Sequence, residues 1–375
     1  MNRKGLVVGL ILILIGTSVI PITAKNLETS QSTSRGEWLY VGGSGPGNYT
    51  KIQDAINNSS SGDTIYVYRG TYHEAIEIDV VNLKILGEGR DVTIIDANFT
   101  DIAVVIRQSY VTLQGFTLIG QDDGINVRGE LTAITISDNN LTKNWYGIEF
   151  QYDWDNNWIV IENNIFYSNT FGIYLVSWYE IGFNTIRNNT FIDNSNGMNI
   201  GGKNNRISNN TFLNYHGTGM SLYGESSTVQ NNKFIENNCG LNLGGSDHTI
   251  TGNIFIGNGL GLNIDGSQHR ITGNLIENNS LGLRASTASN TIVYQNNFMK
   301  NEKHARFYET NRSHGNNWDN NYWSDSLPLF GCIFIFGKVQ TGIKKLIQFD
   351  PYGTSYYWIP WINFDRNPAQ EPHDI

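Results

Sequence analysis

Between Gly124 and Ala285 the chain repeats a single pattern of apolar and polar positions. The quartets GINV, GIEF, GIYL, GMNI, GMSL, GLNL, GLNI and GLRA begin at Gly124, Gly147, Gly172, Gly197, Gly219, Gly240, Gly261 and Gly282, 21 to 25 residues apart. Eight residues before each glycine from Gly147 onward, or nine before Gly219, stands an asparagine: Asn139, Asn164, Asn189, Asn210, Asn232, Asn253 and Asn274, with Asn296 continuing the series. An apolar side chain follows two residues later, as in Leu141, Phe166, Phe191, Phe212, Phe234, Phe255, Ile276 and Phe298. A second series, Asn144, Asn169, Asn194, Asn237, Asn258, Asn279 and Asn301, marks another polar turn, with Tyr215 at the expected place in one repeat.

Each repeat therefore contains three short apolar segments separated by polar turns. Such a unit cannot bury a core alone, but stacked copies can, each strand pairing in parallel with its equivalent about 4.8 Å away. The pattern predicts an all-β parallel β-helix of about ten coils with three short strands per coil. Strand alternation sends the second and fourth quartet residues inward and the third outward, so Ile125 and Val127 face the core and Asn126 faces solvent. An asparagine at the same turn of every coil lies over its copy, where stacked amides bond each other and the turn backbone. These residues are predicted to form an inward ladder.

The ends of the repeat need covers. At the front, Thr50 and Gln53 match a capping box, and Ile52, Ala55 and Ile56 make one face of a short helix. Strands are expected at Thr64–Tyr68, Leu83–Leu86, Thr93–Ile95 and Val104–Ile106. Residues 1–24 read as an export signal: Arg3 and Lys4, an apolar run to Ile20, then Pro21 and a cleavage point after Ala24. Uncleaved, this segment would be a membrane tether. Residues 25–36 form a Ser/Thr-rich linker, 37–310 the β-helix, and 311–375 a non-repeating cap whose run Leu327 to Phe336 is too short to cross a bilayer.

The opening segment GDTIYVYRGTYHEAIEI (Gly62 to Ile78), the GIYL-type quartets and the NNTF-type turns resemble the pectin-lyase-like right-handed β-helix proteins with parallel β-helix repeats. Within them the chain is most similar to the NosD-like group of exported proteins, and NNWDNNYWSD (Asn316 to Asp325) resembles the close of the NosD-like repeat region. The resemblance implies a fold that binds, cleaves or modifies polysaccharides.

Charge narrows the partners. The formal charge is -9, with no Lys/Arg run beyond the N-terminus, which argues against nucleic acid. Two cysteines, Cys239 and Cys332, leave open one disulfide or two free thiols and exclude the usual zinc and iron–sulfur spacings.

Candidate chemistry comes from where the repeat is interrupted. From quartet glycine to next ladder asparagine is 13 residues in four coils, but 17 after both Gly147 and Gly172. The two enlarged loops carry Tyr152, Asp153, Trp154, Asp155 and Trp158, then Trp178, Tyr179 and Glu180. Rings beside carboxylates suit sugars, whose C–H faces pack on aromatics while hydroxyls need acceptors. With Tyr174, these residues are the expected glycan-binding face. Asp101, Asp122, Asp123 and Glu149 are candidate acid–base residues, the three aspartates resembling the trio of polygalacturonases. His248 and His269, one coil apart, with Asp247, could share a metal; calcium is implied only for a lyase. The reading is an exported protein, secreted or at the cell surface, that binds a polysaccharide or glycan. A glycoside hydrolase or polysaccharide lyase is the second reading, and a structural surface protein or NosD-like maturation factor the third.

Overall fold

The structure, a computed structural model, describes residues 36–97, 102–151, 156–176, 182–214, 216–309, 315–325, 333–345, 355–365 and 367–375. The expected signal and all but the last residue of the expected linker lie outside the described residues. Among the described residues no helix is long and apolar enough to cross a membrane.

Residues from Gly36 onward wind into a right-handed parallel β-helix of about twelve turns with three parallel sheets. A quartet sheet runs from Ile76–Ile78 and Ile102–Ile106 through Asp123–Val127 to Leu281–Ala285 and Lys303–Glu309. A second sheet runs from Trp38–Val41 to Asn317–Asp319, and a third from Gly70–Tyr72 to Tyr322–Trp323. The count exceeds ten because the front coils carry neither the quartet glycine nor the ladder asparagine, and because Asn317–Trp323 adds strands beyond residue 310.

Equivalent residues stack in register, so the core is made of columns. Phe166, Phe191, Phe212, Phe234 and Phe255 are buried with successive ring centroids 4.6 to 4.8 Å apart and near-parallel planes. The quartet glycine belongs to this packing: a Cβ at Gly172 would lie 2.4 Å from the Gly197 carbonyl oxygen and 2.7 Å from Phe191 Cδ1. Ile125 and Val127 are buried as expected. Asn126 departs from expectation, being only 4% exposed, because neighbouring polar side chains close over it.

The asparagine ladder is present. Asn189 Oδ1 accepts from the backbone N–H of Asn164 at 2.9 Å and from its Nδ2 at 3.1 Å, while Asn189 Nδ2 donates to the Ile161 carbonyl at 2.9 Å and to Asn210 Oδ1 at 3.0 Å. The same set repeats from Asn139 to Asn321. It ends on Asp365, a fully buried residue whose Oδ2 accepts from the N–H and Nδ2 of Asn321 and from Trp323 Nε1. The residue before each rung turns through a left-handed conformation, as at Asn188 (φ 55) and Asn209 (φ 55), where Asn and Asp are tolerated.

The second ladder is not broken at Tyr215. Asn214 fills the rung, accepting from Asn194 N–H at 2.9 Å and donating its own N–H to Asn237 Oδ1 at 3.1 Å. Here strand Thr211–Leu213 leads into the rung with no left-handed residue between, which shifts the asparagine by one position. Its Nδ2 is buried without a partner.

The front helix, Ile52–Asn57, buries Ile52, Ala55 and Ile56. It is not closed by a Thr50–Gln53 box. Glu74 accepts from the N–H groups of Ile52 and Gln53 at 2.9 and 3.2 Å, and Gln53 pairs with the backbone of Glu77 instead. A carboxylate at the positive end of a helix outcompetes a neutral cap. At the back, Ile333–Lys345 and Ser355–Asp365 form an antiparallel hairpin that pairs onto Lys303–Glu309 and covers that edge.

Asn210→Ala removes a rung that makes two acceptor and two donor bonds in a buried turn, so it should cost about 3 kcal/mol or more. Asn214→Ala should cost less, since half of that amide is already unpaired. Chemical denaturation of both variants checks the order, and equal losses would show that rung bonding does not set stability.

Candidate functional site

The outer face of the quartet sheet carries two columns of side chains. One is the third quartet position: Asn126, Glu149, Tyr174, Asn199, Ser221, Asn242, Asn263 and Arg284. The other is the residue before each glycine, including Asp123, Tyr146 and Phe171. The ring contacts of Tyr146 and Phe171 with Tyr174, at 5.4 and 5.3 Å, place both columns on one surface.

At the front of this face Asp123 and Glu149 meet. Asn126 Nδ2 donates to Asp123 Oδ2 at 2.5 Å and to Glu149 Oε2 at 2.6 Å, so those two oxygens are at most about 5 Å apart. Asn126 thus bridges the two carboxyls. Arg128 Nε holds the Asn126 carbonyl at 2.8 Å. Burial, followed by the charges of Glu149 and Asp122, pushes Asp123 up to about 7 against the pull of Asn126. Burial and the charge of exposed Asp122 raise Glu149 as well. Asp123 is 1% exposed and its Oδ1 has no partner, while Glu149 is only half-buried.

Both carboxyls thus keep their protons to higher pH than free carboxylates do. Oxygens at most about 5 Å apart lie closer than the roughly 6.5–9.5 Å that leaves room for the water of an inverting two-carboxylate hydrolysis. They suit the uptake and return of a proton by Glu149, tuned by Asp123 behind it. Beside them Tyr146 and Phe171 stack at 5.2 Å with planes 19° apart, and Tyr174 meets both edge-on.

The structure brings Asp122, Asp123, Glu149 and Tyr174 together. Asp101, Tyr152, Asp153, Trp154, Asp155, Trp178, Tyr179 and Glu180 lie outside the described residues. Trp158 is 60% exposed and stacks on Phe183 at 5.0 Å, both in left-handed backbone (φ 59 and 57) that bulky side chains rarely adopt. Asn126, Arg128, Tyr146, Phe171 and Phe183 escaped the sequence reading. The residue before each quartet glycine was the available signal.

His248 and His269 have a different role from metal binding. They are rungs of a third ladder, preceded by Asn184, Asn205 and Ser227 at the same turn. His248 Nδ1 accepts from Ser227 N–H and His269 Nδ1 from His248 N–H, while their Nε2 atoms donate to the carbonyls of Gly244 and Asp265. Both nitrogens of each ring are engaged, and Asp247 serves as the left-handed turn residue. Among the described residues no three His, Cys, Asp or Glu gather as a metal site.

The NosD family, described as periplasmic copper-binding protein, matches residues 56–267 and 184–328, and the chain belongs to it. A probable pectinesterase/pectinesterase inhibitor of Arabidopsis thaliana is 37% identical over 86 residues, 21% of this chain and 16% of that protein. A pectinesterase/pectinesterase inhibitor of Prunus persica is 36% identical over 86 residues, covering 21% and 16%. This chain thus spans only about one sixth of the length of those relatives. Among solved structures, the A-module of Azotobacter vinelandii mannuronan C-5 epimerase AlgE6 is similar, with TM-score 0.60, 17% identity, and 72% of this chain and 87% of that chain covered. The Eubacterium ramulus GH136 lacto-N-biosidase gives TM-score 0.55 and 12% identity over 75% of this chain and 65% of that one. These likenesses show the parallel β-helix fold.

The described residues do not fit the copper implied by the family description. Several soft or imidazole ligands must converge, yet no such cluster of His, Cys, Asp and Glu forms among the described residues, Met198 and Met220 are core residues, and Cys239 is a free thiol pushed up to about 11 by burial. His304 has both ring nitrogens occupied by Asn301 and Ser324.

Burial and the neighbouring His269 hold His248 down to about 4, below its ordinary 6.5. The unfolded chain therefore binds the extra proton more readily, and the stability this rung contributes is full above pH 6.5 and is lost as pH falls towards 4. Asp123, raised to about 7, acts in the opposite sense, its contribution being lost as pH rises through 7. Replacing His248 and His269 by Asn keeps a ladder residue and should flatten the acid side, so that melting at pH 4.5 falls less below its pH 7 value than in the parent. An unchanged acid limb would remove the histidines as its cause.

Proposed function

We propose that this protein works outside the cytoplasm, binds a polysaccharide on the outer face of the quartet sheet, and transfers a proton to and from the bound sugar through Glu149. The observation that carries this reading is the pair of Asp123 and Glu149, bridged by Asn126, beside the aromatic trio Tyr146, Phe171 and Tyr174. Aromatic faces give sugar C–H groups a surface, and an adjacent carboxyl that burial raises above its ordinary range supplies the acid–base group. Asp123, nearly sealed from solvent, acts as a positioning residue for Glu149, as Asn126 does. The export-type N-terminus and the periplasmic description of the NosD family support the location. Mannuronan epimerase activity in one structural neighbour and pectinesterase in the sequence relatives support a glycan as partner.

The enlarged loops remain part of the proposal, with Tyr152, Asp153, Trp154, Asp155, Trp158, Trp178, Tyr179 and Glu180 extending the binding face. Trp158 and Phe183 favour this, since large rings in strained left-handed turns are retained where they serve a ligand. Binding without turnover is the second reading; the burial of Asp123 favours it.

Purified protein assayed on polyuronates, methyl-esterified pectin and neutral glycans, for reducing ends, unsaturated products, released acid and changed sugar stereochemistry, tests the chemistry. Turnover should fall at least 100-fold in Glu149→Gln. Asp122→Asn should move the pH limb assigned to Glu149 downward, because the charge that raises Glu149 is gone. Binding that persists with no turnover in the parent would leave only the second reading. Separately, Trp158→Asn with Phe183→Asn should raise or maintain the melting temperature, Asn being suited to the left-handed turn, while glycan affinity drops at least fivefold. Unchanged affinity would remove those rings from the binding face.

A further inference from the structure

We infer that the far end of the same face is a second subsite, which takes an anionic substituent, carboxylate or sulfate, of a glycan chain long enough to reach it from Glu149. The inference rests on reading that face as a glycan site and adds the substrate's charge and minimum length.

The outer column runs from Glu149 through Tyr174, Asn199, Ser221, Asn242 and Asn263 to Arg284, six coils on and roughly 29 Å away at a strand spacing of about 4.8 Å. Arg284 sits at the end of a trough of about 570 Å³ lined by Thr218, Cys239, Asn242, Leu260 and Leu281. Leucines and a half-buried, protonated thiol provide an apolar floor, while Asn242 and Thr218 provide a polar rim. This combination suits a sugar ring carrying polar substituents.

The cation is held in place. Arg284 Nε donates to Asn263 Oδ1 at 2.8 Å, and Asn263, 5% exposed, is fixed in turn by its Nδ2 donating to Asn242 Oδ1 at 2.7 Å and Asp265 Oδ2 at 3.1 Å. That leaves the terminal guanidinium nitrogens to bond an anion. One coil further, Arg306 stands in register with Arg284 and Lys303 with Leu281. None of the three cations makes an ion pair with a described residue. Asp265 is engaged by Thr287 and Asn263. Three unpaired cations in a chain of net charge -9 form a local field opposite to that of Asp122, Asp123 and Glu149 at the other end. A polyanion gains more at the three cations than it loses at the distant acidic end, and only a chain of several sugars reaches from one to the other.

Calorimetry on the full chain with polymannuronate, dextran sulfate, neutral dextran and a mannuronate trimer tests this. The parent should bind the two polyanions at least tenfold more tightly than dextran or the trimer, with affinity falling as salt rises. Arg284→Gln with Arg306→Gln should lose that tenfold and leave dextran unaffected, and Arg284→Lys should recover part of it. Which polyanion binds more tightly distinguishes carboxylate from sulfate. Equal polyanion affinity in parent and variant, or no preference over dextran in the parent, would overturn the inference. If the glutamine variant melts lower, the parent's salt dependence decides, since a site without cations loses no polyanion affinity at high salt. A charge preference lost with the arginines but no turnover with any glycan would retain this subsite while overturning the acid–base reading. Turnover without a charge preference would do the reverse.

Discussion

Everything in this molecule depends on the in-register stacking of coils at the parallel strand spacing. Backbone bonds between successive strands are supplied by the sheet, but the turns between sheets leave N–H and carbonyl groups facing inward, where water is absent. The asparagine amide answers both needs at once, accepting from the turn N–H of the preceding coil and donating to a carbonyl there. Each rung thereby fixes the register of the next. The column ends only where a carboxylate, Asp365, can take three donors without needing a further partner.

A scaffold held by its interior is free to vary outside. The quartet sheet keeps the same inner residues from coil to coil while its outer columns change from acids to aromatics to amides to arginine. Fixed spacing turns that variation into a linear surface in which distance along the axis is counted in coils. Such a surface suits a polymer whose own repeat runs alongside it. The buried histidines show the same principle inside: an imidazole can replace an amide as a rung because one nitrogen accepts and the other donates, at the expense of tolerance to acid.

The fold was legible in the sequence because the repeat is strict and its physical cause is local. The quartets, the first ladder, the buried Phe column and the short front helix all follow from residue spacing. The site was legible only in part. Asp122, Asp123, Glu149 and Tyr174 were found as residues of suitable chemistry on neighbouring coils, but Asn126 was placed in solvent when it bridges the two carboxyls. Period-two alternation cannot show that side chains from two columns and adjacent coils close over one another.

The sequence by itself determined the coil, the columns of the core and the turns that need an amide, because these repeat at a fixed period and each copy faces the same constraint. Only the tertiary structure decided which outer residues act together. It placed Asp123 beneath Glu149, made His248 and His269 rungs instead of ligands, substituted Glu74 for the expected cap, and supplied Asn214 where the spacing pointed to Tyr215. Each of these rests on contacts between residues about twenty or more positions apart, set by burial and by competition for hydrogen bonds, which spacing along the chain does not encode.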